Sequence, residues 1–219
     1  MPSAMMRTIL GNAFGLALFA LFTAGLIALT QSATQERIQQ QQREARAGAL
    51  REILPSEQHD NALLEDRFTL PDDPRLGHKA PAEGWRARRD GRVTAVLMPV
   101  IAPEGYSGDI HLLVGIDRDG ELLGVRVTQH QETPGLGDRI ETRKSDWIHD
   151  FRGRSLGDPP REGWRVAPDG GEFDAFSGAT ITPRAVVRAV RRALEVFREH
   201  RSLMLDEGPD GTNQPGAGT

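Results

Sequence analysis

Residues 174–183 have the sequence DAFSGATITP, and this stretch ends where a helix is predicted to begin. Thr182 is a suitable N-cap, and Pro183 suits the first helical position, where the missing N–H group has no helical partner to lose. Apolar residues then recur at helical spacing, with arginines between them, at Val186, Val187, Val190, Ala193, Leu194 and Phe197. The pattern predicts a helix that runs to about Met204.

Two interpretations of this helix start remain open on these residues alone. Thr180 lies just before the predicted helix, and Gly178 allows close approach to the backbone. Unpaired N–H groups and the dipole at a helix N-terminus favour an anion such as a phosphate. An ordinary capped helix is the alternative, and the frequency of capping Thr-Pro pairs favours it.

The same stretch resembles a known motif. Residues 174–180 match every fixed position of D-x-x-(S/T)-G-A-T, the flavinylation motif of the FMN-binding domain family. In that family a separate flavin transferase, which uses FAD, attaches FMN through its phosphate to the last threonine. The resemblance implies a covalent FMN on Thr180, joined by a phosphodiester. It places the neighbouring motif residues in the cofactor site: Asp174, Ser177, Gly178, Ala179 and Thr182.

A second loop, HQETPGLG at residues 130–137, contains two glycines. It is predicted to turn sharply, with backbone N–H groups able to lie against a ligand, although a purely structural loop is the alternative. It resembles the family's E-T-P-G-L-G segment, which lies against the flavin. DWIHDF at 146–151 resembles the segment that follows, where Trp147 is expected to pack in the core rather than on the flavin. The resemblance adds these residues to the cofactor site: Glu132, Thr133, Pro134, Gly135, Leu136 and Gly137.

An antiparallel meander is predicted between residues 93 and 129. Runs rich in β-branched residues alternate with turns, and their bounds are 93–100, 110–116 and 122–129. DRDG at 117–120 suits a hairpin turn, and Leu123, Val125 and Val127 are predicted to share one face of the last strand. GYSG at 105–108 resembles the family's glycine-tyrosine loop, which adds Tyr106 to the predicted site.

An uncharged apolar run occupies residues 9–29. As a helix it spans about 31 Å, which matches a bilayer hydrocarbon core of about 30 Å. A retained transmembrane anchor in contact with the lipid bilayer is the favoured interpretation. A cleaved signal peptide is the alternative, because small residues follow the run, although its apolar core usually has only about 7–15 residues.

Arg7 precedes this run, so the positive-inside rule predicts a cytoplasmic N-terminus and an external remainder. In a Gram-negative bacterium the chain would be an inner-membrane protein with its soluble part in the periplasm. A helical stalk, a solvated connector, is predicted to follow, with a second short helix at 59–64. The predicted organisation is an N-terminus and anchor at 1–30, the stalk at 31–54, a periplasmic FMN-binding domain at 55–205 and a disordered tail at 206–219.

Composition restricts the function further. A net charge of -4 argues against general nucleic-acid binding. The chain contains no cysteine, which excludes disulfides, iron–sulfur ligation and thiolate chemistry within it. The histidines show no metal-ligand spacing, so no metal site is predicted.

Together the motifs most resemble the flavin subunits of Rnf/Rsx ion-translocating electron transport complexes. The resemblance implies an α+β fold, in which a transmembrane helix precedes an FMN-binding domain with an antiparallel sheet and packed helices. It also implies electron transfer within a translocase, with the other membrane subunits as partners. FMN supplies the redox chemistry, so no catalytic acid, base or nucleophile is expected. Two alternatives remain: the related flavoprotein subunit of the sodium-translocating NADH:quinone reductase, and a membrane-anchored binding module that is never flavinylated.

Overall fold

The computed structural model describes residues 2–206, so all but the first residue of the predicted tail at 206–219 lies outside the described residues. The chain divides into two units, Met1–Glu44 and a larger folded unit that begins at Ala45. Helix α1 (Pro2–Ile53) runs from the first unit into the second. Its segment Asn12–Gln31 has a mean hydropathy of 2.1 and no buried residue. Among the described residues, this is the one segment long and apolar enough to cross a membrane.

The folded unit is built on a five-stranded sheet in which consecutive strands pair antiparallel, in the order of the chain. The strands are β1 (Arg67–Thr69), β2 (Glu83–Arg89), β3 (Arg92–Ala102), β4 (Ile110–Asp117) and β5 (Leu122–Gln129). Helices α2 (Ile181–Glu199) and α3 (Arg201–Met204) follow the sheet. Short 3-10 helices lie at Ser56–Gln58, Pro74–Leu76, Gly137–Ile140, Trp147–Phe151, Arg161–Gly163 and Ala167–Asp169.

The sheet is covered on both faces, because its strands alternate two sets of apolar side chains. One face packs against α2, whose buried residues include Val186, Val190 and Leu194, and against the 3-10 segments. The opposite face packs against the last turns of α1, through Leu50 and Ile53. The folded unit thus begins before residue 55, and the end of the predicted stalk is part of its core rather than solvated.

The three-stranded meander matches β3, β4 and β5, but the predicted face of Leu123 is wrong. Val125 and Val127 belong to the cluster on the α2 face, whereas Leu123 packs with the cluster on the α1 face. The register between β4 and β5 is irregular here, because Gly115 pairs with Gly124 while the next residue pairs with Leu122. A bulge of this kind shifts side chains between faces without altering the apolar composition of the strand.

The short helix predicted at 59–64 is also absent, and bends and turns occupy this segment. The Asn61 side chain explains the difference, because its amide binds the edge of the sheet. Its Nδ2 donates to the carbonyl of Arg86 at 2.9 Å, and its Oδ1 accepts from the N–H of Arg88 at 2.9 Å. The sequence did not predict β1 and β2, since β1 has only three residues and β2 contains three arginines.

Candidate functional site

The start of α2 differs from the prediction. The helix begins at Ile181, so Thr180 occupies the N-cap position, and the assignment of Thr182 as N-cap is wrong. Thr182 lies in the first turn, fully buried, and its hydroxyl donates a hydrogen bond to Glu132. Thr182 therefore lies inside the helix, where its hydroxyl links α2 to that buried carboxylate instead of capping the helix. The other end also differs, because α2 ends at Glu199 and the separate helix α3 extends to Met204.

The side chain of Thr180 does not cap the helix. Its own backbone is helical, with φ −68° and ψ −26°, and its hydroxyl makes no capping hydrogen bond. An effective N-cap residue has extended backbone angles that direct its oxygen toward the first N–H groups, and Thr180 lacks them. The residue is half-buried and lies beside the N-terminus of a 19-residue helix.

Glu132 joins two loops to this helix start. It is only 4% exposed. Its Oε1 accepts the backbone N–H of Ser107 at 2.9 Å, and its Oε2 accepts the Thr182 hydroxyl. The side chain therefore ties the 105–108 loop and the 132–137 loop to the first turn of α2.

His130 supports the backbone of Glu132. Its Nδ1 accepts the N–H of Glu132 at 3.0 Å, which requires an unprotonated nitrogen at that position. The ring proton therefore lies on Nε2, which donates to Glu141 at 3.0 Å. This tautomer fixes the imidazole between the 132–137 loop and the chain that follows it.

The two glycines of the 132–137 loop serve different purposes. Gly135 has a φ of +79°, where glycine is favoured, and its N–H donates to the buried carboxylate of Asp138 at 2.8 Å. Open space surrounds the position of a Cβ at Gly135. At Gly137, in contrast, a Cβ would lie 2.8 Å from the carboxylate of Glu132 and 2.9 Å from the Thr182 hydroxyl. Within the protein, close packing occurs at Gly137 and not at Gly135.

The 105–108 loop packs against the same carboxylate. A Cβ at Gly105 would lie 2.9 Å from Oε1 of Glu132. The next residue, Tyr106, is 69% exposed. Tyr106, a predicted site residue, is thus exposed to solvent on a loop that Glu132 links to α2.

The segment before Thr180 is anchored through Phe176. Its ring centroid lies 5.2 Å from that of Trp147 in an edge-on contact, and the Arg139 guanidinium lies over the Phe176 ring, 5.1 Å from its centroid. Trp147 is buried and its indole N–H donates to the carbonyl of Asp174 at 2.9 Å. Trp147 therefore packs in the core, as expected, and the side chain of Asp174 is directed to the surface.

The structure brings the predicted residues to one edge of the domain in two layers. Glu132, Gly137 and Thr182 form the buried layer. The exposed or half-buried layer consists of Tyr106, Thr133, Pro134, Gly135, Leu136, Asp174, Ser177, Gly178, Ala179 and Thr180. A Cβ at Gly178 would be in ordinary contact with Leu136, at 3.7 Å, which links the motif to the 132–137 loop.

Sequence reasoning missed several supporting residues: Ser107, His130, Asp138, Arg139 and Phe176. Ser107 and Phe176 lie inside the quoted motifs at variable positions, so the motif patterns gave them no weight. Asp138 follows the loop directly, and its burial beside Lys144, with 3.4 Å between the charged groups, depends on the fold. A buried acid next to a glycine loop has no periodic pattern in the sequence.

The chemistry available here is that of a hydroxyl that makes no capping hydrogen bond, beside the N-terminus of a helix. The first N–H groups of α2 and its dipole favour a phosphate at the helix N-terminus. A threonine hydroxyl at that position is placed to form a phosphoester. The glycine loops add exposed backbone beside it. These features fit the phosphate end of an FMN linked to Thr180.

A separate cluster of Asp73, Glu199 and His200 has donor atoms within 4.8 Å of one another. Its carboxylates bind Arg75 at 2.7 Å for Asp73 and at 2.5 Å for Glu199. Hydrogen bonds from Arg75 lower the pKa of both carboxyl groups and raise the pKa of the guanidinium. The cluster is an ion-pair network that fastens the Pro74–Leu76 turn to the end of α2.

Comparisons with known proteins identify the family to which the chain is similar. A family model described as an FMN-binding domain matches residues 105–195, and one described as the RnfG N-terminal region matches residues 5–53. A Pseudomonas aeruginosa protein, named as the G subunit of the ion-translocating oxidoreductase complex, is 52% identical over 205 residues, 94% of this chain and 96% of the relative. A Vibrio cholerae protein of the same name is 46% identical to this chain, over 93% of this chain and 97% of the relative. A Shewanella loihica protein of that name is also 46% identical, over 92% of this chain and 95% of the relative.

Proposed function

This chain belongs to the family of G subunits of ion-translocating oxidoreductase complexes, and from that premise we propose that it transfers electrons through an FMN covalently attached to Thr180. The match to the FMN-binding domain covers both glycine loops and the whole 174–180 motif. The name of the relatives supports a place in a multi-subunit oxidoreductase that moves ions across a membrane. The other subunits of that complex are then its partners.

One observation carries the assignment to Thr180. Three hydroxyl groups lie within residues 174–183, and their surroundings differ. Thr182 is fully buried and donates to Glu132, so its oxygen is inaccessible to a modifying enzyme. Ser177 is exposed but three residues before Thr180, and the influence of a helix dipole fades within about one turn. Thr180 combines an uncommitted hydroxyl with a position next to the first helical residue.

The attachment requires a partner enzyme, because a threonine hydroxyl is a weak nucleophile without a base. A flavin transferase would hold FAD and supply that base. The Thr180 Oγ attacks the phosphorus on the FMN side of the pyrophosphate, the P–O bond to AMP breaks, and AMP leaves. The hydroxyl proton passes to the base of the transferase, and nothing is oxidised or reduced in this step.

Once attached, FMN supplies one- and two-electron redox chemistry. The residues of this chain hold and orient it. The N-terminus of α2 stabilises the negative charge of the phosphodiester. The 132–137 loop approaches Gly178 through Leu136, and Glu132 ties the 105–108 loop to the same helix start. Tyr106 and Leu136, which are 69% and 44% exposed, offer apolar surface to the flavin. No side chain has to donate or accept a proton during electron transfer.

The membrane position is part of the same proposal. The segment Asn12–Gln31 spans the inner membrane as a retained anchor, with the N-terminus in the cytoplasm and the folded unit in the periplasm. A covalent link suits that compartment, because a flavin that dissociated there would be lost. A reporter that is active only in the periplasm, fused after Asp206, is expected to be active. Activity of a cytoplasmic reporter at the same position contradicts the orientation.

In-gel flavin fluorescence tests the assignment, because a covalent flavin survives denaturation. Full-length protein is made beside an active flavin transferase and separated on a denaturing gel. Wild type and Ser177→Ala are expected to fluoresce under ultraviolet light, and Thr180→Ala is not. A dark wild-type band indicates a binding module that is not flavinylated, and a fluorescent Thr180→Ala band places the attachment elsewhere.

A further inference from the structure

We propose that Glu132 is a positioning residue for flavin attachment: acting through Thr182, it holds the Thr180 hydroxyl in the orientation that the flavin transferase requires. The proposal rests on the proposed attachment at Thr180 and adds the device that presents it. Glu132 and Thr182 do not touch the reacting oxygen themselves. Their role is to fix the chain on which it lies.

The 132–137 loop contacts the chain on both sides of Thr180. On the C-terminal side, Thr182 donates to Glu132, and Gly137 packs so closely that a Cβ there would lie 2.9 Å from the Thr182 hydroxyl. On the N-terminal side, Gly178 lies next to Leu136. Thr180 is therefore held between two contacts with one loop, each two residues away.

A carboxylate suits this junction because both groups facing it are donors. The Ser107 N–H occupies one oxygen and the Thr182 hydroxyl the other. Glutamine offers a single oxygen acceptor, so its amide nitrogen would have to donate to the Thr182 oxygen instead. A charged acceptor also makes the stronger hydrogen bond. The junction can thus be weakened in steps by substitutions of similar size.

The loop itself is held in place independently of this junction. Asp138 accepts the Gly135 N–H at 2.8 Å and pairs with Lys144, while the Thr133 carbonyl accepts the N–H groups of Leu136 and Gly137, both at 3.1 Å. Asp138 is buried to the same extent as Glu132, each being 4% exposed, but this hydrogen bond and ion pair stay within residues 135–144 and do not reach α2. Asp138→Asn is therefore a matched control: it removes the charge of a buried acid in the same segment, keeps an oxygen that can accept the Gly135 N–H, and leaves the Glu132–Thr182 bond in place.

The test measures the initial rate at which purified flavin transferase attaches FMN from FAD to the full-length protein in detergent. Thr182→Val keeps the side-chain shape and removes the hydroxyl, whereas Thr182→Ser keeps the hydroxyl. Loading is expected to slow by about 10- to 100-fold in Thr182→Val, the range that misplacement of a reacting group produces, and to stay near the wild-type rate in Thr182→Ser. Glu132→Gln is expected to load at an intermediate rate, and Asp138→Asn at the wild-type rate.

A cycle with Glu132→Ala separates positioning from general destabilisation. If the two residues act as one unit, Glu132→Ala/Thr182→Val loads no more slowly than the slower single variant. Near-ultraviolet circular dichroism confirms that each variant is folded under the assay conditions. Where Glu132→Ala does not fold, Glu132→Asp takes its place, because it keeps the charge and withdraws the carboxylate from Thr182 by one methylene.

The proposal is overturned if the folded Thr182→Val protein loads FMN at the wild-type rate. It is also overturned if Thr182→Ser slows FMN loading as much as Thr182→Val does. Different results would contradict the proposed function: wild-type protein that does not take up FMN, or Thr180→Ala protein that does. If wild type loads at Thr180 and every variant of the Glu132 junction loads equally fast, the attachment site stands and the positioning role is wrong.

Discussion

The Cγ2 methyl group of Ile53, at the end of α1, lies directly on the backbone of Gly115 in β4, where a Cβ atom would overlap it. The helix can approach the sheet this closely because Gly115 pairs with another glycine, Gly124 of β5. Arg126, whose side chain is largely buried, adds an ion pair to Glu52 at 2.7 Å. The last turn of α1 thus packs closely against the sheet through complementary shape.

This contact predicts that Gly115→Ala destabilises the folded unit. The added methyl group must displace Ile53, and overpacking of this kind costs about 1–3 kcal/mol. The free energy of unfolding, from urea denaturation in detergent, measures it. Gly124→Ala is the control, since a Cβ there would be 3.7 Å from Ile53, an ordinary contact. Equal losses in the two variants would show that the fit at Gly115 has no special importance.

Truncation tests the same boundary. A soluble chain that begins at Ala45 keeps the buried residues Leu50, Ile53 and Leu54, whereas a chain that begins at Pro55 loses them and exposes the sheet residues they cover. Burial of each large apolar side chain contributes about 1.5–3 kcal/mol, so the shorter chain is expected to be less stable by at least about 3 kcal/mol. Thermal melting curves of the two chains test this difference in stability. Identical melting temperatures would exclude α1 from the core.

The sequence predicted the regular parts of the fold because they carry periodic apolar patterns. The apolar run at 9–29, the three long strands and α2 all have such patterns. Residues 45–54 looked like a connector because the apolar stripe is short and lies within a Gln- and Arg-rich region. Its partner surface is the second face of the sheet, which includes Leu97 and Leu113 but is formed by Gly115 and Gly124 beneath Ile53. Because glycines contribute no apolar side chain to the sequence pattern, only the structure shows that the helix end packs there.

The two glycines of the 132–137 loop are predicted to differ. Gly137→Ala forces a methyl group between Glu132 and Thr182, and should slow flavin loading as well as lower stability. Gly135→Ala meets open space and is strained only by its positive φ, which should cost about 1 kcal/mol of stability with loading little changed. Loading rate and unfolding free energy are measured on both. Normal loading of folded Gly137→Ala would contradict the close packing described here.

The network at the far end of α2 predicts a pH dependence. Its hydrogen bond with Arg75 lowers the pKa of Asp73, so the contribution of Asp73 to stability is present above the ordinary carboxyl pKa and is lost as the pH falls through the lowered value. Asp73→Asn should be less stable than wild type by about 1 kcal/mol at pH 7, and the difference should vanish in acid. Urea denaturation as a function of pH measures this, with the exposed neighbour variant Asp72→Asn as control. A constant difference down to acid pH would contradict the ionic origin.

At the site, motif resemblance predicted which segments meet, and the structure supplied how they meet. Thr182 was expected to cap α2 because local sequence favours that use of a threonine before a proline. Its hydroxyl instead donates a hydrogen bond to the buried carboxylate of Glu132, which lies 50 residues away in the chain. A long-range partner of this kind cannot be read from local spacing, and it changes the role of Thr182 from a cap to a link.

The central claim, a phosphodiester between FMN and Thr180, is tested most directly by mass spectrometry of protein purified from its own host. Trypsin is expected to release residues 166–184 as one peptide, which contains Ser177, Thr180 and Thr182 as its hydroxyl residues. The account predicts that this peptide gains the mass of one FMN less one water, and that fragmentation places the added mass on Thr180. An unmodified peptide, or added mass on Ser177 or Thr182, would contradict it.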